Sequence, residues 1–153
     1  MSNEPEIRQV TSFRVNGFSV RTSNLEEIAG AGRIASLWMK FMAESHQCGE
    51  GPPVAVYDSY EGDHLAPYTL TVGCVGGSDS AAPPEGTSTE VVAADYLVYP
   101  LSEGEMPQAL IETWQRIWGD FEREDFPWKR TFVCDFEQHG EKTEIFIGVA
   151  PQE

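Results

Sequence analysis

An internal duplication constrains the fold of this chain more than any other feature of its sequence. Residues 129–148, K-R-T-F-V-C-D-F-E-Q-H-G-E-K-T-E-I-F-I-G, predict two β-strands joined by a short polar turn. Residues 57–73 have the same shape. Val72-Gly73 aligns with Ile147-Gly148 at an offset of 147 − 72 = 75, and Tyr60-Glu61 aligns with Phe136-Glu137 at an offset of 136 − 60 = 76. The two offsets indicate a hairpin that occurs twice.

The elements that precede each hairpin repeat at nearly the same interval. Apolar residues at three- and four-residue spacing predict one helix from about residue 24 to 45, with a break near Gly30 and Gly32, and a second helix over about 107–124. Trp38 and Trp114 lie in the two apolar stripes, at an offset of 114 − 38 = 76. The strand regions 7–21 and 89–99 align at an offset of 96 − 18 = 78 when Phe18 is placed on Tyr96.

These repeats predict a single α+β domain over residues 1–153, made of two β-α-β-β halves related by a pseudo-two-fold axis. The halves cover about 7–76 and 89–150, and a linker rich in Gly, Pro and Ser joins them over about 77–88. We expect an antiparallel sheet with two main helices on one face. Ligand sites favour the seam between two such units, so we expect a ligand cleft between the halves.

The charge of the chain narrows the classes of partner. With 25 acidic and 10 basic residues the net charge is −15, which disfavours direct contact with nucleic acid, since neutralising phosphates requires clustered Lys and Arg. The acidity favours solubility, or attraction of cationic ligands and partners. The acidic, polar start of the chain carries no signal-peptide pattern, and no apolar run is long enough to cross a bilayer. We therefore expect a cytoplasmic protein with no membrane contact.

No pattern in the sequence predicts a metal or a cofactor. The three cysteines are odd in number and widely spaced, which is typical of a reducing compartment rather than of a disulfide framework or a zinc site. Cys74 and Cys134 lie in predicted strands, and we interpret them as small buried hydrophobic residues. The three histidines lie at element ends without ligand spacing, and no phosphate-binding glycine loop or G-x-S-x-G motif is present. These residues are Cys48, Cys74, Cys134, His46, His64 and His139.

Two groups of side chains are candidates for a binding site. Strand alternation places Phe132, Cys134 and Phe136 on one face, expected to lie under a helix, and Val133, Asp135 and Glu137 on the other. Glu137 is either a pocket carboxylate that pairs with a cation or transfers a proton, or a solvated glutamate near a turn. Glu61 occupies the equivalent position in the first copy of the hairpin, and we expect it to be exposed. The aromatic residues either pack the core or form a pocket for a flat or cationic ligand. They are Trp38, Trp114, Trp118, Tyr57, Tyr60, Tyr68, Tyr96 and Tyr99.

The sequence resembles the GyrI-like, AraC-type effector-binding superfamily, and within it the stand-alone proteins associated with integron cassettes. The resemblance covers nearly the whole chain and rests on six segments: V-R-T-S-N at 20–24, L-W-M-K-F at 37–41, V-Y-D-S-Y-E at 56–61, Y-T-L-T-V-G at 68–73, W-Q-R-I-W at 114–118 and residues 129–137. It implies a duplicated fold whose cleft binds hydrophobic, often cationic, small molecules. The regulators of that superfamily carry a helix-turn-helix module, which the residues before Ile7 do not resemble, and the net charge disfavours DNA, so a direct role as a transcription factor is not expected.

The resemblance also implies which residues contact the ligand. Glu137 matches the acidic pocket residue, Trp38 matches the helix tryptophan, and Tyr68 matches the tyrosine that opens the third strand; Tyr57, Tyr96, Trp114 and Trp118 complete the implied site. Three functions remain open. The first is capture of an amphipathic cation by the aromatic side chains and Glu137. The second is hydrolysis of a small molecule, with Glu137 activating a water and the Tyr68 hydroxyl as acid. The third is an acidic module that binds a protein partner, either a regulator or a basic DNA-handling enzyme.

Overall fold

The structure is a computed structural model of the chain. It describes residues 5–28, 32–44, 52–62, 66–76, 86–101, 108–140 and 142–152. Within these ranges the chain forms eight strands and three helices. In chain order they are β1 (Glu6–Val10), β2 (Phe13–Thr22), α1 (Asn24–Ile28), α2 (Ile34–Glu44), β3 (Pro53–Asp58), β4 (Tyr68–Gly76), β5 (Thr87–Val91), β6 (Ala94–Pro100), α3 (Gln108–Glu122), β7 (Trp128–His139) and β8 (Thr143–Pro151).

All eight strands belong to one antiparallel sheet in the order β1-β6-β8-β7-β3-β4-β2-β5. The prediction of an α+β fold with an antiparallel sheet is therefore confirmed. The strands of the two halves correspond as β1 to β5, β2 to β6, β3 to β7 and β4 to β8. When each strand is replaced by its counterpart, the result is the same strand order read from the other edge of the sheet. The pseudo-two-fold axis consequently passes between β3 and β7, the two central strands.

The sheet curls until its two edges meet. Only two residues, Thr11 and Ser12, connect β1 to β2, although these strands lie six positions apart in the sheet order. In a flat sheet six positions would separate them by roughly 29 Å, whereas two connecting residues span at most about 11 Å. The same holds for β5 and β6, which residues 92–93 connect. The inner face of this curled sheet is therefore enclosed by strands.

Each predicted first strand is in fact a pair of strands. The region 7–21 divides into β1 and β2, and the region 89–99 divides into β5 and β6. β1 pairs with β6 of the second half, and β5 pairs with β2 of the first half, so the halves exchange their first strands. Thr87 and Ser88 of the predicted linker already belong to β5, and residues 77–85 lie outside the described part of the chain.

The strand registers correct the repeat alignment at two places. Leu70 and Ile145 are related by an offset of 145 − 70 = 75, and they pair with Tyr57 and Glu137 respectively, so the structural equivalent of Glu137 is Tyr57 and not Glu61. In the same way, Val72 pairs with Phe18 and Ile147 pairs with Leu97, which makes Leu97 the equivalent of Phe18. The predicted match of Phe18 with Tyr96 is wrong by one position.

Side chains on the two faces of the sheet form separate cores. The described residues of the inner core all come from the strands or their connections and from all parts of the sheet, among them Val15, Val56, Tyr96 and Phe136. On the outer face, α2 packs on the first half through Leu37 and Phe41, and α3 packs on the second half through Ile117. Both helices therefore lie on one face of the sheet, as predicted, and burial of their apolar stripes holds them there.

The prediction for β7 chose the wrong face. Cys134 and Phe136 belong to the inner core, and the face under the helices is the one that carries Asp135 and Glu137. Phe132 does not follow the alternation of either face, because a bulge shifts the register between Arg130 and Asp135 and the φ of Phe132 is 55°. Such a bulge redirects side chains near it. The ring of Phe132 lies against Tyr60, with 5.5 Å between the ring centroids.

Two further expectations concern cysteines and membrane spans. Cys134 is a buried free thiol, as predicted, but Cys74 is disulfide-bonded, so the prediction that it is a free thiol in a reducing environment is wrong. Cys48, His46 and His64 lie outside the described residues. Among the helices described here, none combines the length and the apolar character needed to cross a membrane.

Candidate functional site

A cavity of about 730 Å³ opens between the helices on the outer face of the sheet, over the central strands. α2 lines one side with Trp38, and α3 lines the other with Trp114 and Trp118. The floor is formed by strand residues, among them Tyr57 of β3 and Glu137 of β7. The cavity thus lies at the seam between the two halves, where the duplication predicts a ligand cleft.

Glu137 is buried in the floor of this cavity. Its side chain is 1% exposed, and both carboxylate oxygens accept hydrogen bonds. Oε2 accepts from the Tyr57 hydroxyl at 2.7 Å and from Nε1 of Trp114 at 2.7 Å, while Oε1 lies 2.8 Å from Nε2 of His139. Because the donors come from β3, α3 and the end of β7, the carboxylate joins both halves of the fold.

The hydrogen bonds hold Glu137 in place without neutralising it. Phenol and indole are neutral donors, and imidazole is charged only when protonated. Among the described residues, no lysine or arginine forms an ion pair with Glu137. A buried carboxylate without a cationic partner is costly, because the charge has left water and gains only hydrogen bonds in return. This arrangement leaves the carboxylate open to a further positive charge.

Aromatic rings surround the carboxylate. The ring of Tyr57 lies 5.3 Å from Tyr68 and 5.2 Å from Trp114, centroid to centroid, and Trp114 lies 6.5 Å from Trp118. Burial raises the pKa of Tyr57 well above its ordinary value, and the charge of Glu137 adds to the rise; burial likewise raises the pKa of Tyr68. Both phenols are therefore neutral at physiological pH. Their rings offer negative π faces beside a carboxylate, which is an environment that favours cations.

A second buried carboxylate near the cavity, that of Asp135, is neutralised by an arginine of the same chain. Arg130 and Asp135 form an ion pair of 2.6 Å, with side chains that are 5% and 0% exposed. Asp135 also accepts a hydrogen bond from the Tyr60 hydroxyl and one of 2.8 Å from the backbone N–H of Gly148. The guanidinium of Arg130 lies over the Phe132 ring at 4.3 Å. Asp135 is thus paired, whereas Glu137, two residues further along the same strand face, is not.

A third carboxylate shapes the corner of the cavity beside α1. Glu27 accepts hydrogen bonds from the Thr22 hydroxyl and the backbone N–H of Arg33, both at 2.7 Å, and so caps the start of α2. A Cβ at Gly32 would lie 1.9 Å from Oε1 of Glu27, so only glycine permits this approach. Nearby, the Tyr68 hydroxyl donates to Oδ1 of Asn24 at 3.0 Å. The cap fixes the position of α2, and hence of Trp38.

The structure brings six of the seven predicted site residues to the cavity: Glu137, Trp38, Tyr57, Tyr68, Trp114 and Trp118. Tyr96 is not among them, and its assignment to the site is corrected. It lies on the inner face, fully buried against Phe136 and Phe146, and its hydroxyl donates to the carbonyl oxygen of Val92 at 2.7 Å. Glu61 stays at the surface with a side chain that is 62% exposed.

Sequence reasoning did not assign the ionisable residues Glu27, Arg130 and His139 to the cavity lining, and it named Tyr60 only among the aromatic candidates. His139 stands two residues after Glu137, and period-2 alternation places both on one face, which was a usable signal. Arg130 gave no such signal, because the bulge before Asp135 breaks the alternation between them. Within the described ranges, no group of His, Cys, Asp and Glu side chains is arranged to hold a metal ion.

A curled antiparallel sheet of two exchanged halves, with a cavity at the seam between its helices, defines this chain as a GyrI-like effector-binding domain. Residues 6–149 match the family described as integron-associated effector binding protein, Cass2, and the chain belongs to that family. A solved integron cassette protein from the mobile metagenome of Vibrio cholerae is 30% identical and superposes with a TM-score of 0.82, with 96% of each chain covered.

Two further relatives extend the comparison. YobU of Bacillus subtilis (strain 168), whose name describes it as a transcriptional regulator, is 28% identical over 138 residues, which cover 86% of this chain and 84% of YobU. The structure of SAV2435 bound to tetraphenylphosphonium shares the fold at 16% identity, with a TM-score of 0.73 and coverage of 96% of this chain and 94% of that one. The binding of small molecules, as an effector-binding domain, is therefore the general function of the chain.

Proposed function

We propose that this domain captures hydrophobic organic cations in the seam cavity, with Glu137 as the counter-charge and the surrounding rings as the contact surface. The observation that carries the proposal is the state of Glu137, which is 1% exposed, accepts three hydrogen bonds, and has no Lys or Arg partner among the described residues. A cation that enters the cavity supplies the missing charge. It thereby recovers part of the free energy that burial of the carboxylate costs.

The aromatic lining supports the same class of ligand. Tyr57, Trp114 and Trp38 provide π faces in a cavity large enough for a drug-sized molecule. A bulky cation with apolar arms gains from contact with these rings and from the carboxylate at once. The phosphonium ion bound by SAV2435 is a cation of this type, although that protein shares only the fold with this chain.

The hydrolase alternative receives less support from the geometry. A general base needs a free lone pair directed at a bound water. The hydrogen bonds from Tyr57 and Trp114 use both sites on Oε2 of Glu137 and the contact with His139 uses one of the two on Oε1, which leaves one site for a water. The Tyr68 hydroxyl, the acid in that hypothesis, donates to Asn24 instead. The carboxylate is arranged as a fixed charge rather than as a proton acceptor.

Matched ligands with and without a charge test the proposal. Methyltriphenylphosphonium and triphenylphosphine oxide share three phenyl arms, and only the first is a cation. We expect wild-type protein to bind the cation more tightly, as measured by quenching of tryptophan fluorescence at pH 8.0. A cation about 6 Å from the carboxylate gains about 2–3 kcal/mol at an effective dielectric constant near 20, which is about 30–150-fold in affinity.

Two variants separate the local charge from the charge of the whole protein. Glu137→Gln should remove the preference for the cation and leave the affinity for the oxide within about threefold. Glu61→Gln changes the net charge by the same amount at an exposed position and should behave as wild type. Equal cation binding by all three proteins, or no cation binding by wild type, would contradict the proposal.

A further inference from the structure

We infer that His139 controls access of a ligand cation to Glu137. When its imidazole is protonated it supplies the counter-charge from within the protein, and when it is neutral it leaves the carboxylate to the ligand. The inference rests on the proposed function, because it concerns the competitor that a bound cation meets at Glu137.

The geometry places His139 directly on the carboxylate. Its Nε2 lies 2.8 Å from Oε1 of Glu137, and its side chain is 14% exposed at the end of β7. Its ring contacts Trp38 of α2 with 4.9 Å between centroids and 69° between planes, and both side chains line the cavity. Of the three groups bonded to Glu137, the Tyr57 hydroxyl and the Trp114 indole cannot become cations, so only His139 can neutralise the carboxylate.

The other ionisable groups that line the cavity among the described residues are tyrosines or are held by partners of their own. Burial raises the pKa values of Tyr57, Tyr60 and Tyr68, which therefore stay neutral. Arg130 stays charged and is held by Asp135. Glu27 is held by the Thr22 hydroxyl and the backbone N–H of Arg33.

Within the described part of the chain, the elements packed around His139 add no competing charge. α2 and α3 line the cavity with Ile34, Ala35, Trp38, Leu110, Ile111, Trp114, Gln115 and Trp118, none of which is acidic or basic. On β8, the residue opposite His139 is Thr143. Glu144 stands opposite Gln138, whose side chain points to the other face of β7, and Lys142 is exposed in the turn. Histidine is thus the one residue type in this lining that ordinarily changes charge near neutral pH.

Competition between a proton and a ligand cation has a defined sign. Protonation of His139 forms a neutral pair with Glu137, and a second cation then meets no net charge. Affinity for a cation should therefore rise with pH until the imidazole is neutral and then stay constant. At full competition the affinity falls by up to about tenfold for each unit of pH over which the imidazole is protonated, because one proton must then be released for each cation bound.

Calorimetric titration of the intact chain with methyltriphenylphosphonium tests this directly, because the probe itself has no titratable group. We expect weaker binding at pH 5.5 than at pH 8.0, by up to about tenfold for each unit of pH, and release of up to one proton per ligand, seen as a difference in heat between buffers of unequal ionisation enthalpy. His139→Gln keeps an amide donor near Glu137 and cannot become charged. It should bind the cation equally at both pH values and release no proton.

The controls distinguish failure of this inference from failure of the proposed function. Triphenylphosphine oxide should bind each of the two proteins, wild type and His139→Gln, with an affinity that does not change between the two pH values, which shows that pH alone does not alter the cavity. Gln substitutions at His46 and His64, the other two histidines, should keep the wild-type pH profile. An unchanged pH profile in His139→Gln overturns the role of His139 and leaves the proposed function standing, whereas indifference of cation binding to Glu137→Gln overturns both.

Discussion

Asp135 and Glu137 lie two residues apart on one face of β7, and we predict very different changes in the free energy of unfolding when each loses its charge. Asp135→Asn should strongly destabilise the fold, because it leaves the guanidinium of Arg130, which is 5% exposed, without its partner at 2.6 Å. Breaking a buried ion pair in this way costs about 3–5 kcal/mol. That is a large share of the roughly 5–15 kcal/mol that stabilises a typical domain.

Glu137→Gln should change the free energy of unfolding by no more than about 1 kcal/mol in either direction, because the hydrogen bonds it can lose are offset by removal of an unpaired buried charge. The amide oxygen can still accept from Tyr57 and Trp114, and the amide nitrogen can donate to a neutral His139. The carboxylate charge is therefore expected to contribute little to the stability of the unliganded protein, in agreement with the binding role that we propose for it.

Urea denaturation without ligand, at pH 7.5, measures both effects. With a slope of about 2 kcal/mol per molar urea, a loss of about 4 kcal/mol lowers the midpoint of Asp135→Asn by about 2 M. The midpoint of Glu137→Gln should stay within about 0.5 M of wild type by the same slope. The double variant Arg130→Met with Asp135→Asn should recover at least half of the loss, since both buried charges are then absent. Equal destabilisation by the two single substitutions would refute the contrast between a paired and an unpaired carboxylate.

Three further predictions follow from the placement of single side chains. Tyr57→Phe should weaken binding of a cation by about tenfold through loss of a hydrogen bond to the Glu137 carboxylate. Tyr96→Phe, on the inner face, should leave the affinity unchanged and lower the free energy of unfolding by about 1 kcal/mol. Fluorescence titration and urea denaturation measure the two effects, and reduced affinity in Tyr96→Phe would contradict its placement. Burial raises the pKa values of all five tyrosines, so the folded state holds these protons more tightly than the unfolded state. The contribution of the tyrosines to stability should therefore be constant below about pH 10 and fall above it. Absorbance at 295 nm should show tyrosine ionisation only together with unfolding, not as a separate step near pH 10. Burial raises the pKa of the Cys134 thiol to about 12, so at pH 8.0 its reaction with a disulfide reagent should be about a thousandfold slower than that of an exposed cysteine, and rapid labelling of the folded protein would show that Cys134 is accessible.

The offsets of the repeat show how far sequence reasoning reaches. The helix tryptophans Trp38 and Trp114 are related by an offset of 76 and the last strands by an offset of 75, and these two matches were enough to predict the duplicated α+β fold and its seam. The interval is not constant, however. The registers give the first strands an offset of 97 − 18 = 79, from Phe18 to Leu97, and the central strands an offset of 137 − 57 = 80, from Tyr57 to Glu137.

That drift matters for the face on which Tyr96 lies. Side chains alternate between the faces of a strand, so an alignment error of one position moves a side chain from the outer to the inner face. Phe18 lies on the outer face, and the register places its equivalent Leu97 there and Tyr96 in the inner core, away from the cavity to which the resemblance assigned it. The same period made the assignment of Glu137 robust, because Asp135, Glu137 and His139 keep their alternation on the outer face after the bulge.

By itself, the sequence determined which elements form and that the chain is built twice, because helix and strand periodicity are local properties of the chain. It also identified most of the aromatic lining and its glutamate. Only the tertiary structure decided that Asp135 is neutralised by Arg130 and that Glu137 is not. Arg130 stands only five residues before Asp135, but strict alternation would place the two on opposite faces of β7, and the bulge that brings them together leaves no periodic trace in the sequence. The neutral donors to Glu137 from Tyr57 and Trp114 come from β3 and α3, which are distant from it in the chain.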